Sequence, residues 1–254
     1  MEHLREIRMY ELEQVVGLFP TGARLLEIGA GAGWQAKELA HRGFKVEAID
    51  LPTSCYAVNQ VWPVTQYDGF SIPFPDGYFD VVFSSNTLEH IPHLEVFQQE
   101  IKRVLVPQSG FAIHILPTAS WRLWTSISHY VFVLRSGFVA LGMLRDRGEL
   151  SVFEKTRKKN SPLGVVKKAI VPPRHGELGN ASSELWRFSK YGWLGMFHRT
   201  GWEVEEFFSL GLFYTGYSVI GTGMGISTRR FLSRWVGSST IAYVVKANKF
   251  RVGR

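Results

Sequence analysis

Apolar residues in the first half of the chain fall into short continuous runs, separated by stretches with a helical period. Ala23 to Ile28, Phe44 to Ile49, Phe79 to Ser85 and Phe111 to Leu116 are runs of the first kind, and they suit parallel strands buried on both faces. A shorter run, Val64 to Tyr67, lies between the second and third of them. Trp34 to His41 and Leu94 to Leu105 predict helices. In the latter, Leu94, Phe97, Ile101 and Leu105 share one face, Pro92 suits the start, and Pro107 and Gly110 suit the end. A short helix is expected from Thr53. Strands alternating with helices predict an α/β fold with a doubly wound, mostly parallel sheet.

Beyond Pro117 the alternation breaks until about Ser183. It then resumes with a helix capped by Ser189 and stopped by Gly201, a strand from Trp202 to Phe208, and a last strand from Thr240 to Lys246. The 254 residues, 45% of them hydrophobic, support one main core. Residues 1–117 and 184–254 are therefore expected to be two parts of one domain, with 118–183 as an insert or lid after the fifth strand. Insertions of that length are usually functional.

Charge is divided unevenly. Up to Pro117, 8 Lys+Arg stand against 14 Asp+Glu, a balance of −6; beyond it the counts are 21 and 8, a balance of +13. Six of the eight tryptophans also lie in the second part, which suits an anionic or membrane-surface partner. The single cysteine, Cys55, excludes an internal disulfide. Met1 to Tyr10 carries charges throughout and lacks the apolar core of a signal peptide, so the expected location is cytoplasmic, with membrane association on the cytoplasmic face as an extension.

The most informative stretch is Leu25-Leu26-Glu27-Ile28-Gly29-Ala30-Gly31-Ala32-Gly33-Trp34, a strand entering a glycine turn and then a helix. Glycines permit positive φ and close approach of a ligand, and amides left free at the helix start would favour an anionic group. A nucleotide-like cofactor is implied. Trp34 stands where a dinucleotide fingerprint needs a small residue, and the Lys-Ser/Thr pair of a phosphate loop is missing. Asp50 ends the second strand, where a carboxylate can accept ribose hydroxyls.

Together with Asp68 in Y-D-G-F-S-I-P-F-P-D-G-Y-F-D and the later L-E-H, this ordered series resembles the class I S-adenosylmethionine-dependent methyltransferases over Ala23 to Pro117. The resemblance implies a seven-stranded Rossmann-like sheet and S-adenosylmethionine as cofactor. It further implies that Glu27, Gly29, Gly31 and Gly33 line the methionine part, Asp50 the ribose, Asp68 and Gly69 the adenine, and Ser85 the reactive end.

For methyl transfer to a hydroxyl, a histidine is the natural base. His90, just past the fourth strand, is one candidate. The other is His175 in Pro-Pro-Arg-His-Gly-Glu-Leu-Gly-Asn, with Glu177 as the carboxylate that orients it. His93 is expected to be solvated and His114 to be a core residue. The tetrad used for amino methylation of bases is missing after the fourth strand, and Cys55 is misplaced for attack on a cytosine ring. No evident carboxylate cluster suggests magnesium, so a metal-free O-methyl transfer is expected.

Two apolar stretches remain, Trp121 to Leu144 and Phe207 to Thr228. The first has only 12 uncharged residues between Arg122 and Arg135, and the second, with 22, holds five glycines, so neither is expected to span a bilayer. They could cap the acceptor pocket, form a homodimer interface, or lie on an anionic membrane beside Lys155, Arg157, Lys158, Lys159, Lys167, Lys168, Arg229, Arg230 and Arg234. No RNA-binding module accompanies them, and nucleic acid is not the expected partner. The basic insert and the E-L-W-R-F-S segment look like bacterial methyltransferases of surface-polysaccharide synthesis. The expected acceptor is therefore a saccharide or lipid-linked glycan. The alternatives are a small hydrophobic quinone- or polyketide-like metabolite, or cofactor binding without turnover.

Overall fold

Strand β1 (Arg24–Ile28) lies at the centre of the protein, between β2 (Lys45–Asp50) and β4 (Val81–Ser85), parallel to both. The computed structural model describes residues 2–54, 59–146, 171–217 and 223–248. With β3 (Thr65–Gln66), β5 (Phe111–Pro117), β6 (Trp202–Ser209) and β7 (Thr240–Ala247), the sheet has seven strands in the order β3-β2-β1-β4-β5-β7-β6. Only β7 runs antiparallel, to β5 and β6 alike. This is the doubly wound Rossmann-like architecture expected. Each apolar run became a strand within a residue or two of its expected bounds, except that β3 is shorter.

Both faces of the sheet are buried because adjacent strand residues point oppositely. Leu26, Val82 and Val245 pack with Phe97, Ile101 and Phe197 on one face. Leu25, Val81 and Val244 pack with Leu12, Phe19 and Leu39 on the other. The helices that supply these residues are α1 (Glu2–Val15), α2 (Trp34–His41), α3 (Leu94–Val104) and, after an intervening segment, the helix Lys190–Arg199. His93 precedes α3 without making a side-chain cap. Burying Phe97, Ile101 and Val104 contributes about 1.5–3 kcal/mol each, against about 1 kcal/mol for a cap, so the apolar face fixes where α3 lies.

The insert begins as a 28-residue helix, α4 (Ala119–Asp146), where the sequence pattern showed only irregularity. Its first turns interleave Trp121, Leu123 and Trp124 with Ser120, Arg122, Thr125 and Ser126, which hid the helical period. A short helix α5 (Ala181–Arg187) follows, started by a capping box between Asn180 and Ser183, then α6 (Lys190–Arg199) behind the expected Ser189 cap. The last helix, α7 (Ile226–Val236), precedes β7. The short helix expected from Thr53 falls on residues 55–58, and the cluster Lys155, Arg157, Lys158, Lys159, Lys167 and Lys168 on 147–170; both lie outside the described residues.

α1 and α7 were not foreseen. The buried side of α1 mixes Ile7, Leu12 and Val15 with Arg8 and Glu11, which blurs the apolar period. Arg8 Nη1 donates to Glu11 Oε2 at 2.6 Å, and Tyr214 Oη donates to Glu11 Oε1 at 2.9 Å, so this helix is tied to the segment leading into β7. Thr240 of β7 itself also donates to Glu11. Among the described residues, no helix is long and apolar enough to cross a membrane.

Candidate active site

At the carboxyl ends of β1, β2 and β4 a cavity of about 1050 Å³ opens beneath α1. This is the edge at which open α/β sheets bind ligands. One end is formed by the glycine turn, Asp50, Leu51 and Tyr67. The middle is formed by Ser85, Asn86 and Thr87, and the other end by His90, Ile91, Trp121, His175 and residues 213–217. The pocket thus runs from the β2 side of the sheet across β4 to segments that follow β5 and precede β7.

The glycine turn departs from expectation in an informative way. Gly29 and Ala30 N–H donate to the Ile49 carbonyl at 2.9 and 3.1 Å, Gly33 N–H donates to Ala30, and Gly31 N–H donates to Asp50 Oδ2 at 2.7 Å. The Ala36 amide of α2 is bonded to Glu27. These five amides are therefore not free for an anion. A pyrophosphate would find few donors here, whereas a cofactor without phosphate needs only close approach to the turn. Gly29 permits that approach: its φ is +74°, and a Cβ there would collide with the Thr87 side chain.

Gly29, Gly31, Asp50 and Ser85 lie on the pocket wall as expected. Asp50 also accepts from Leu51 N–H at 2.7 Å, which fixes its carboxylate at the rim. Glu27 and Gly33 do not line the wall. Glu27 is buried beneath the turn, where loss of water pushes its carboxyl up to about 8, and it serves to join β1 to α2. Asp68 and Gly69 also lie off the wall. Asp68 accepts the amides of Phe70 and Ser71, both at 2.8 Å, which hold its carboxyl below the usual range, and Leu51 and Tyr67 take the place it was expected to fill. Asn86, unforeseen, stands on the wall with a left-handed φ of 51°, a conformation that asparagine adopts more readily than most residues.

His90 and His175 come together although the fifth strand and the insert separate them. Their ring centroids are 4.7 Å apart, and Trp121 stands edge-on to His175 at 4.4 Å. The carboxylate between them is Glu89, not Glu177. Glu89 Oε1 lies 3.9 Å from Nε2 of each histidine. Glu177 instead pairs with Arg174 at 3.5 Å; its backbone amide donates to the Glu89 carbonyl, and its charge acts on His90 from a distance. Adjacency in sequence favoured Glu177; the fold brings in Glu89, whose signal was the L-E-H already noted.

Burial pushes Glu89 up to about 8 and His175 down to about 3, the latter helped by His90 and Arg122; His90 is lowered for the same reason, burial. His175 is set in place through its backbone. Glu184 Oε1 accepts the amides of His175 and Gly176 at 2.8 Å, while Glu184 Oε2 pairs with Arg122 at 2.7 Å and Arg122 donates to the Pro173 carbonyl at 2.8 Å. His114 is a core residue as expected, 2.7 Å from Ser84 Oγ and pushed down to about 3 by burial. His93 stacks on exposed Phe70 at the surface.

Residues 26–113 match the sequence model of a family described as a methyltransferase domain. The chain carries a methyltransferase domain. It is 34% identical over 110 residues to the 2-methyl-6-phytyl-1,4-hydroquinone methyltransferase of Synechocystis, covering 40% of this chain and 33% of that one. It is 30% identical over 151 residues to a ubiquinone biosynthesis O-methyltransferase of Paramagnetospirillum magneticum, covering 50% and 59%. The matched stretch thus spans less than two thirds of these relatives' own length. Among solved structures, the fold is similar to that of a SAM-dependent methyltransferase from Aquifex aeolicus, with a TM-score of 0.51, 15% identity, and 92% and 90% coverage of the two chains. It is also similar to one from Mesorhizobium loti, with a TM-score of 0.52, 13% identity, and 93% and 97% coverage. S-adenosylmethionine is the cofactor of the domain, and the glycine turn with occupied amides, Asp50 and Leu51 fits it.

Calorimetry should show that the protein binds S-adenosylmethionine and not NAD. Gly31→Arg, which puts a long side chain on the wall at a positive φ, should abolish that binding. The strain of about 1–2 kcal/mol should lower Tm by only roughly 2–8 °C. Unchanged affinity in the variant would remove the turn from the site.

Proposed function

We propose that the protein transfers a methyl group from S-adenosylmethionine to a hydroxyl of a small apolar acceptor held between Ser85 and the His90–His175 pair. The observation that carries this reading is the shape of the pocket: one continuous space joins the cofactor turn to two facing imidazoles. When bound, the cofactor supplies a methyl group on a sulfonium. The chain must align the acceptor in line with that methyl group, exclude water and deal with the hydroxyl proton. α1 roofs the space, with Arg5 lying over Trp34 at 3.9 Å, and the histidines stand where the hydroxyl would be.

Ile7, Ile91, Trp121, Phe213, Tyr214 and Met224 make the walls largely apolar and aromatic. A quinol or phenol would bury well against them, whereas many hydroxyls of a glycan would lose water without finding partners. The saccharide acceptor expected from the sequence would have to rely on the scattered polar side chains of the wall, such as Asn59, Asn86 and Thr215. One relative is named for a hydroquinone and another for ubiquinone biosynthesis, which is consistent with the apolar choice. Labelled-methyl transfer should be seen with apolar quinols or phenols, and His90→Ala and His175→Ala should each lower kcat by about 10²–10⁴. Transfer to saccharides alone, or normal turnover in both variants, would contradict the reading.

The outside of the pocket supports uptake of that acceptor from an anionic membrane. α4 exposes Leu123, Ile127, Tyr130, Val131, Phe132 and Leu134. Trp124 Nε1 donates to the Val236 carbonyl at 3.0 Å, which holds α4 against α7, where Phe231 and Trp235 are exposed beside Arg230 and Arg234. Three groups expected on this surface turn inward. Trp121 lines the pocket, Trp124 is spent on that bond, and the Arg229 guanidinium is buried against the Phe213 and Met224 carbonyls. Co-sedimentation with anionic liposomes should be strong at low salt and weaken as salt rises, by about 1 kcal/mol for each basic side chain at the surface. Protein left wholly in the supernatant at low salt would refute it.

A further inference from the structure

Glu89 lies behind His90, off the wall of this pocket, and methyl transfer does not itself explain its placement. Its side chain is fully buried, yet neither carboxylate oxygen accepts a hydrogen bond from another residue. A buried carboxylate without partners is costly, and such a group calls for a ligand or a bound ion to account for it. What Glu89 faces is specific: Oε1 lies 3.9 Å from Nε2 of His90 and 3.9 Å from Nε2 of His175, and one donor atom of each of the three residues lies within 4.8 Å of the others.

We propose that Glu89, His90 and His175 form a binding site for a divalent transition-metal ion, which holds and polarises the acceptor's hydroxyl oxygen. The inference rests on the pocket being the acceptor site. Bonds of about 2.0–2.2 Å to a four-coordinate ion set donor atoms roughly 3.3–3.6 Å apart, so the two Glu89–histidine separations must close by about half an ångström and the third by up to about an ångström. The two imidazoles, partly exposed and ending in free Nε2 atoms, can make such shifts by ring rotation. Two imidazoles with one carboxylate suit Zn²⁺ or Mn²⁺ and disfavour Mg²⁺, which prefers oxygen donors. Three protein ligands leave at least one position open toward the pocket, as catalytic sites require.

The Arg122–Glu184 pair acts as the outer support. By holding the His175 and Gly176 amides it presents the third ligand from a separate segment of chain. Bound to the ion, the acceptor O–H breaks heterolytically: the proton leaves to solvent and the pair stays on oxygen. That oxygen then forms the O–CH₃ bond as the S–CH₃ bond breaks and its pair returns to sulfur, giving a neutral thioether. No oxidant or reductant is needed.

The test uses full-length protein freed of metal by chelation and saturated with S-adenosylhomocysteine, titrated calorimetrically with Zn²⁺, Mn²⁺ or Mg²⁺. One Zn²⁺ or Mn²⁺ should bind per chain, with Mg²⁺ far weaker. Glu89→Gln and His175→Ala should each weaken that binding by about tenfold or more, while His93→Ala, at the surface, should leave it unchanged. Retained binding of S-adenosylhomocysteine shows that the variants are folded. Absence of one-to-one binding, or equal affinity in Glu89→Gln, His175→Ala and the parent, would overturn the site. Methyl transfer by chelated protein, measured separately, distinguishes the two claims. Undiminished turnover without metal would overturn this inference and leave the proposed function standing, whereas metal binding without transfer to any apolar acceptor would count against the function alone.

Discussion

A buried ion pair assembles the far side of the pocket. Arg122 is 1% exposed and Glu184 fully buried, and between them they hold the carbonyl of Pro173 and the amides of His175 and Gly176. A buried pair of this kind is weak as a net source of stability, but removing one partner leaves a bare charge and costs about 3–5 kcal/mol. The pair therefore acts as a clamp. It locks the end of the insert onto the first turn of α4, and without it neither His175 nor Trp121 has a fixed place relative to His90.

The near side depends on the sheet. Parallel packing of β2, β1 and β4 brings Asp50, the glycine turn and Ser85 to one edge, and the hydrogen bonds of the turn are closed within the chain itself. Gly31 N–H to Asp50, and Ala36 N–H to Glu27, take up donors that a phosphate would otherwise use. Such a turn suits a cofactor recognised by shape and ribose contacts instead of by phosphate charge. α1 then closes the space from above, fastened through Arg8, Glu11 and Tyr214. Cofactor wall, roof and histidine wall thus come from widely separated parts of the chain.

The sheet was legible because its strands are buried on both faces and read as unbroken apolar runs. The wall residues Gly29, Gly31, Asp50 and Ser85 were legible because they sit at the ends of those runs. α1, α4 and α7 were not, because each mixes charge into its buried side: Arg8 and Glu11 meet Tyr214, Arg122 meets Glu184, and Arg229 meets the Phe213 carbonyl. Glu177 was chosen for its nearness to His175 along the chain, whereas its side chain pairs with Arg174 and the fold supplies Glu89. Glu27, Asp68 and Gly69 belong to the right motifs but support the wall from behind or beside it. Each of these differences arises where a contact across the chain outweighs the local pattern.

The central claim is that one pocket places the sulfur of the cofactor opposite the histidine pair. A crystal structure with S-adenosylhomocysteine tests it most directly. The adenine should lie by Leu51 and Tyr67, the ribose on Asp50, and the sulfur should face Ser85 with open space between it and His90 and His175. A sulfur turned away from the histidines, or a ligand seated outside the space beneath α1, would contradict the account.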